Sequence, residues 1–183
     1  MFIQTEKTPN PATLKFLPGR ELAPGSPLDC PDAAAAARLS PLAERLFSLE
    51  GVERVMIGTD FAAVTRTAAA AWDGLKLRVM AALSDHLVRG LPIVAPGAVP
   101  AADAADEDET AARIRALIEE RVRPVVTRDG GDIVFDRFED GVVYLHMRGA
   151  CAGCPSAAMT LKDGVEALLK TYVPEVREVR QAS

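Results

Sequence analysis

The chemistry this sequence offers is concentrated in Cys151 and Cys154, within Gly149-Ala150-Cys151-Ala152-Gly153-Cys154-Pro155. A turn of that length holds its ends within about 7 Å, so both sulfurs can grip one metal centre. The same spacing also suits a disulfide, and spacing alone leaves both open. Gly149 and Gly153 relax the backbone so that it can wrap closely round a bulky centre. Pro155 belongs at the first position of a helix, which sets Cys154 at the N-terminal end, where the helix dipole favours thiolate over thiol.

Stoichiometry narrows the chemistry. A cubane iron–sulfur cluster or a structural zinc takes about four thiolate or imidazole ligands, and one chain supplies two here. Cys30, in Leu28-Asp29-Cys30-Pro31, reads as a loop residue whose neighbours Asp29 and Asp32 disfavour a thiolate. His86 reads as a structural helix residue, and His146 as a strand histidine sharing a face with Tyr144 and Val142. Asp129 and Asp132 flank Gly130-Gly131, and turn chemistry accounts for them. The economical arrangement is a two-fold pairing of chains, each giving two cysteines. A centre held on exposed loops across such a seam is easy to give away, as a carrier requires. Four readings stay open on these residues: an iron–sulfur site shared by two chains, a zinc-binding interaction module, a thiol–disulfide oxidoreductase, and a pair of buried, inert thiols, which a loop surface of glycines and a helix start disfavours. Against the oxidoreductase, only 29 residues follow Cys154, too few to complete a thioredoxin-like fold after its active-site helix.

The elements that must position these cysteines fall into two blocks. In residues 110–183, Ile114, Leu117, Ile118 and Val122 mark an amphipathic helix ending near Pro124. Gly130-Gly131 turns into a strand over 132–138, Glu139-Asp140-Gly141 turns back into 142–147, and the cysteine turn opens a helix with Leu161, Val165, Leu168 and Leu169 on one side. A short last strand is expected within 175–180. Residues 1–90 open with two strand candidates, 2–5 and 12–16, around Thr8-Pro9-Asn10-Pro11. Ser40-Pro41 then caps a helix bearing Leu42, Leu46 and Leu49. Residues 52–57 and 61–67 form a hairpin, and a second helix entered at Trp72-Asp73 buries Leu75, Val79, Leu83 and Leu87. The fold class is α+β: two small α+β domains of strands with packed helices.

Between them, residues 91–109 hold three prolines, six alanines and five acids, Asp103, Asp106, Glu107, Asp108 and Glu109. Proline and like-charge repulsion make this an acidic Pro/Ala linker. The whole net charge of −5 resides there, because 1–90 holds ten bases and ten acids and 110–183 eleven of each. Neither block has the basic excess that phosphate backbones demand, so nucleic acid is not an expected partner. No apolar run reaches the ~18 residues of a membrane span. The opening Met1-Phe2-Ile3-Gln4-Thr5-Glu6-Lys7 has the character of neither a signal nor a transit peptide, and a cytoplasmic setting is expected.

Residues 122–124 (Val-Arg-Pro), 129–133 (Asp-Gly-Gly-Asp-Ile), 149–156 (Gly-Ala-Cys-Ala-Gly-Cys-Pro-Ser) and 160–166 (Thr-Leu-Lys-Asp-Gly-Val-Glu) closely resemble the C-terminal domain of NifU-like (Nfu-type) iron–sulfur proteins. Residues 2–11 (Phe-Ile-Gln-Thr-Glu-Lys-Thr-Pro-Asn-Pro), with Ser40-Pro41-Leu42-Ala43 and Gly51-Val52, look like the N-terminal domain of the longer Nfu proteins. The resemblance implies a carrier rather than an enzyme, binding a labile [4Fe-4S] cluster through Cys151 and Cys154 of two chains, a homodimer while the cluster is bound. It implies an upstream cluster scaffold as donor, and as recipients apo iron–sulfur client proteins such as aconitase-like or lipoyl synthase-like enzymes. The scaffold and ferredoxin-like domains of nitrogen-fixation NifU have no counterpart here, which favours transfer over assembly. The N-terminal domain, with no candidate reactive group, reads as a docking module.

Overall fold

Alternating apolar residues build the first sheet. In the computed structural model, which describes residues 2–23, 25, 27–98, 109–152 and 155–182 (side chains of 155–158 and 160 excepted), the chain divides into units Met1–Ala101 and Ala102–Ser183. Unit 1 holds β1 (Gln4–Lys7), β2 (Thr13–Leu17), β3 (Leu28–Cys30), β4 (Val52–Ile57) and β5 (Ala62–Arg66), all antiparallel, in the order β1-β2-β5-β4-β3. Val55, Ile57 and Val64 face one side, where α2 (Pro41–Phe47) and α3 (Trp72–Val88) bring Leu42, Leu46, Leu75, Val79 and Leu83 into a shared core. Met56 and Ala63, one residue out of phase, lie with Phe61 and Leu17 in a smaller cluster on the other face.

Two elements of this unit escape the sequence reading. Cys30 lies in β3, paired opposite Val55, and not in a loop. The alanine run forms α1 (Ala33–Leu39), capped where the Asp32 side chain accepts from the Ala35 amide at 2.7 Å. The expected cap at Ser40 is present: its hydroxyl accepts from the Ala43 amide and also donates to the Ile93 carbonyl at 2.5 Å. That second bond alters the picture of the linker. Ile93 and Val94 pack on the unit 1 core, Ala95 N–H donates to the Leu39 carbonyl, and Pro92 O lies 3.0 Å from His86 Nε2. Residues 91–98 are therefore a strap on unit 1, while 99–108, which carry most of the expected acidic run, lie outside the described residues.

Unit 2 holds α4 (Glu109–Leu117), α5 (Arg123–Arg128), β6 (Gly131–Glu139), β7 (Val142–Gly149), α6 (Pro155–Tyr172) and β8 (Glu178–Gln181). Strands β6 and β7 form an antiparallel hairpin about Asp140 (φ 49°) and Gly141 (φ 80°), left-handed positions that an Asp-Gly turn accepts. Strand β8 joins β7 in parallel after the α6 crossover. Ile133, Phe135, Val143, Leu145 and Val179 bury one face of the sheet against Ile114, Ile118, Val122 and Val126 from the helices before it and Val165, Leu169 and Val173 from α6 and its end. The helix expected to end near Pro124 does not end there. Residues Ile118–Val122 widen into a π turn, with the Arg123 amide reaching back to Ile118 O, and α5 continues. Proline has no N–H to donate and crowds the carbonyl four residues back; the wider turn fits it without stopping the rod. Among the described residues, no helix is long and apolar enough to cross a membrane.

Candidate functional site

Cys151 lies just past the end of β7. Gly149, at φ +60°, is paired with Gly131 at the start of β6, and Gly130, at φ +80°, precedes that partner. The turn is tied down by backbone bonds: Ala150 N–H donates to Gly130 O (3.0 Å), Cys151 N–H to Arg148 O (3.3 Å) and Ala152 N–H to Gly149 O (3.1 Å). The thiol of Cys151 is free, half-buried and packed against the unit 2 core. A Cβ built on Gly131 would fall 2.2 Å from Cys151 Sγ. The sulfur thus occupies a seat that exists because residue 131 has no side chain.

The electrostatics at Cys151 run opposite to the expectation for its partner cysteine. Burial, then the carboxylates of Asp129 and Asp132, push its pKa up to about 11, so the free protein holds it as a thiol. Cys154 and Gly153 lie outside the described residues, and the expected helix-end activation of Cys154 lies there with them. Asp132 is not the turn residue the sequence suggested. It is fully buried on β6, and Arg123 grips it with a two-pronged ion pair, Nε to Oδ1 at 2.7 Å and Nη2 to Oδ2 at 3.0 Å. The same guanidinium reaches both carboxylate oxygens of Glu119 at 3.0 and 2.8 Å. Hydrogen bonding to Asp132 raises the Arg123 pKa above its ordinary value against the cost of burial. This clamp ties the helical rod to the residue next to the sulfur's seat. Sequence reading missed it, although Arg123 and Asp132 both stand in the quoted motif.

Of the other candidate residues, Cys30 and His86 belong to unit 1 and His146 to unit 2. Cys30 is fully buried in unit 1, and burial, Asp29 and Asp32 push its pKa up to about 12. His86 is buried in α3 against the strap. His146 projects from the sheet face away from the core, with Nε2 3.4 Å from Asp136 Oδ1. Among the described residues, no three His, Cys, Asp or Glu side chains converge to hold a metal ion. A soft thiol donor on a glycine-lined floor nonetheless suits iron bound through sulfur.

Comparison with known proteins follows the order of the two units. The family described as "Scaffold protein Nfu/NifU N terminal" matches residues 3–90, and the "NifU-like domain" family matches 114–180. The chain belongs to the NifU-like (Nfu-type) family. Among curated relatives, the "NFU1 iron-sulfur cluster scaffold homolog, mitochondrial" of Drosophila persimilis is 48% identical over 185 residues, covering 99% of this chain and 65% of its own length. The protein of the same name in Drosophila willistoni is 47% identical over 184 residues, 99% and 63% respectively. The chain thus spans a little under two thirds of the length of these relatives. The solution structure of a NifU-like protein from Saccharomyces cerevisiae aligns with a TM-score of 0.45 and 28% identity, over 52% of this chain and 85% of that one. The relatives' names overturn one expectation: they point to mitochondria and not to the cytoplasm. The fold of two small domains carries no address within a cell.

Proposed function

We propose that this Nfu-type protein carries iron–sulfur clusters, binding a labile [4Fe-4S] cluster between two chains through Cys151 and Cys154 of each and passing it to apo-enzymes. The observation that carries the reading is the Cys151 sulfur seated against Gly131 in a turn whose sequence supplies two cysteines, half of the about four donors that a cubane cluster takes. The relatives' name, iron–sulfur cluster scaffold, supports the same chemistry. Loading displaces the thiol proton, because a metal-bound thiol is deprotonated by the metal itself. Delivery follows by ligand exchange, in which a client's thiolates replace those of the carrier one by one. A dithiol oxidoreductase instead needs its thiolate before any partner arrives, and the burial and carboxylates around Cys151 work against that. The strap makes residues 1–98 one unit, which we assign to holding a client near the cluster.

Anaerobic reconstitution with ferrous iron and sulfide, followed by iron and sulfide analysis and sizing, tests the reading. Four irons per two chains are expected, with the brown colour lost in Cys151→Ala and Cys154→Ala and kept in Cys30→Ala. A loaded species consisting of one chain with no outside thiol would overturn it. Removing residues 1–98 should slow delivery to a client and leave loading intact.

A further inference from the structure

Gly131 is buried at the first position of β6, and its backbone does not demand glycine. It is not among the glycines with positive φ, unlike its neighbour Gly130 and its strand partner Gly149, and it pairs in register with Gly149 as any strand residue could. What excludes a side chain is Cys151. A methyl group at 131 would lie 2.2 Å from Sγ, 3.2 Å from the Cys151 backbone nitrogen and 3.3 Å from its Cβ. The last two contacts are tight, and a shift of a few tenths of an ångström relieves them. The first requires the sulfur to leave. Retreat of the backbone around Cys151 as a block would break the Ala150 amide's bond to Gly130 O and the pairing of Gly149 with Gly131, while the bonds from 151 and 152 to Arg148 and Gly149 keep the turn itself rigid. Rotation about the Cys151 Cα–Cβ bond is the cheap way out, and it carries the sulfur to a different staggered position.

We propose that Gly131 is a positioning residue, whose missing side chain forms the seat of the Cys151 sulfur and sets the direction in which that sulfur is offered to a cluster. The seat is independent of what the sulfur binds; its consequence for clusters rests on the proposed function. In the free protein, the seat shelters one flank of the sulfur. In the loaded protein, it fixes one of the sulfur donors relative to strands β6 and β7, so that two chains bring matching half-sites together. Misplacing a ligand through its supporting residues typically weakens metal binding by about 10- to 100-fold.

Gly131→Ala tests this against two other glycines of unit 2. Gly164→Ala, in α6 with nothing within 4 Å of its added carbon, is the neutral control. Gly141→Ala, at φ +80° and 3.0 Å from Arg177, destabilises the unit at the far end of the hairpin and leaves the seat intact. Two readouts are used: the rate at which iodoacetamide labels Cys151 in the cluster-free protein, followed by peptide mass spectrometry, and the half-life of a reconstituted cluster under a ferrous chelator. In Gly131→Ala, labelling of Cys151 should rise several-fold and the cluster half-life fall by roughly 10-fold or more. Gly141→Ala should lower the melting temperature while leaving both readouts near those of the unaltered protein. Unchanged labelling in Gly131→Ala, or equal cluster loss in Gly131→Ala and Gly141→Ala, would overturn the proposal. If Gly131→Ala fails to fold, recovery of folding in Gly131→Ala/Cys151→Ala supports the seat, and failure of both variants overturns it. Should the unaltered protein take up no cluster, the carrier reading fails, and the labelling comparison still decides the seat.

Discussion

Replacing Arg123 by methionine leaves the carboxylate of Asp132 fully buried and without its partner. The side chain of Arg123 is 17% exposed and that of Asp132 not at all, so solvent cannot take over the lost bonds without opening the start of β6. Breaking a buried pair from one side costs about 3–5 kcal/mol, most of it the unpaired charge. The exposed contact to Glu119 adds at most a few tenths of a kcal/mol. For a unit of this size, 3 kcal/mol corresponds to a fall in melting temperature of roughly 12 °C or more. The two units can be followed separately, because the single tryptophan, Trp72, lies in unit 1 and both tyrosines, Tyr144 and Tyr172, lie in unit 2. Tyrosine-detected melting should move by that amount in Arg123→Met and the tryptophan signal should not. Arg123→Lys keeps the charge but loses the planar fork, and should fall between. The decisive variant is Arg123→Met/Asp132→Asn: with the charge gone from both sides, it should be more stable than Arg123→Met alone. A double variant no better than the single, or a shift under about 3 °C in the single, would refute the argument that the pair is held by its burial.

Ser40→Ala removes both a helix cap and the strap bond to Ile93, and should cost unit 1 about 2 kcal/mol in tryptophan-detected urea unfolding. Cys30, pushed up to about 12 by burial and its acidic neighbours, stabilises unit 1 in full below the unfolded thiol's pKa near 9. That stability drains away as pH rises towards 12, by up to about 1.4 kcal/mol per unit of pH. The urea midpoint should therefore drop more steeply above pH 9 in the unaltered protein than in Cys30→Ala. On the proposed function, the Cys151 thiol, pushed up to about 11, must shed a proton to bind metal, and iron retained against a chelator should decline as pH is lowered from about 8 to about 6.

What could be read in advance follows from where the information lies along the chain. The face Leu75, Val79, Leu83 and Leu87 repeats at helical spacing, and all four residues are buried in α3. Ser40-Pro41 states a helix start in two residues, and Asp140-Gly141 a hairpin in two. These signals are local. Strand β3 has three residues and exists only because β4 pairs with it, and α1 is an alanine run with no apolar period to reveal it. Pro124 carries a true local signal, a helix stop, which a π turn overrides. At the site, the Cys-x-x-Cys spacing was legible, whereas the contact between Gly131 and Cys151 spans twenty positions and depends on the register of β6 against β7. Asp132 was misread for the same reason: as a turn residue it needs only its neighbours, but its actual partner approaches from the end of the π turn.

On the proposed function, such a site is suited to releasing what it binds. A structural metal site is rarely formed before the metal arrives, so that metal binding adds to folding free energy. Cys151 is arranged otherwise: burial and two nearby carboxylates favour its protonated form, and backbone hydrogen bonds hold its turn closed without metal. Among the described residues, the turn is therefore hydrogen-bonded without metal, and on the proposed function a cluster must displace a proton from a thiol that retains it well. On the proposed function, this narrows the gap between loaded and empty states, so a client whose cysteines ionise more readily can draw the cluster away. Raising the carrier's affinity at Cys151 should consequently slow delivery. Asp129→Asn tests this point, because Asp129 is exposed and raises the thiol's pKa without gripping Arg123. The variant should hold iron longer against a chelator and pass it to a client more slowly, and faster delivery accompanying longer retention would refute the argument.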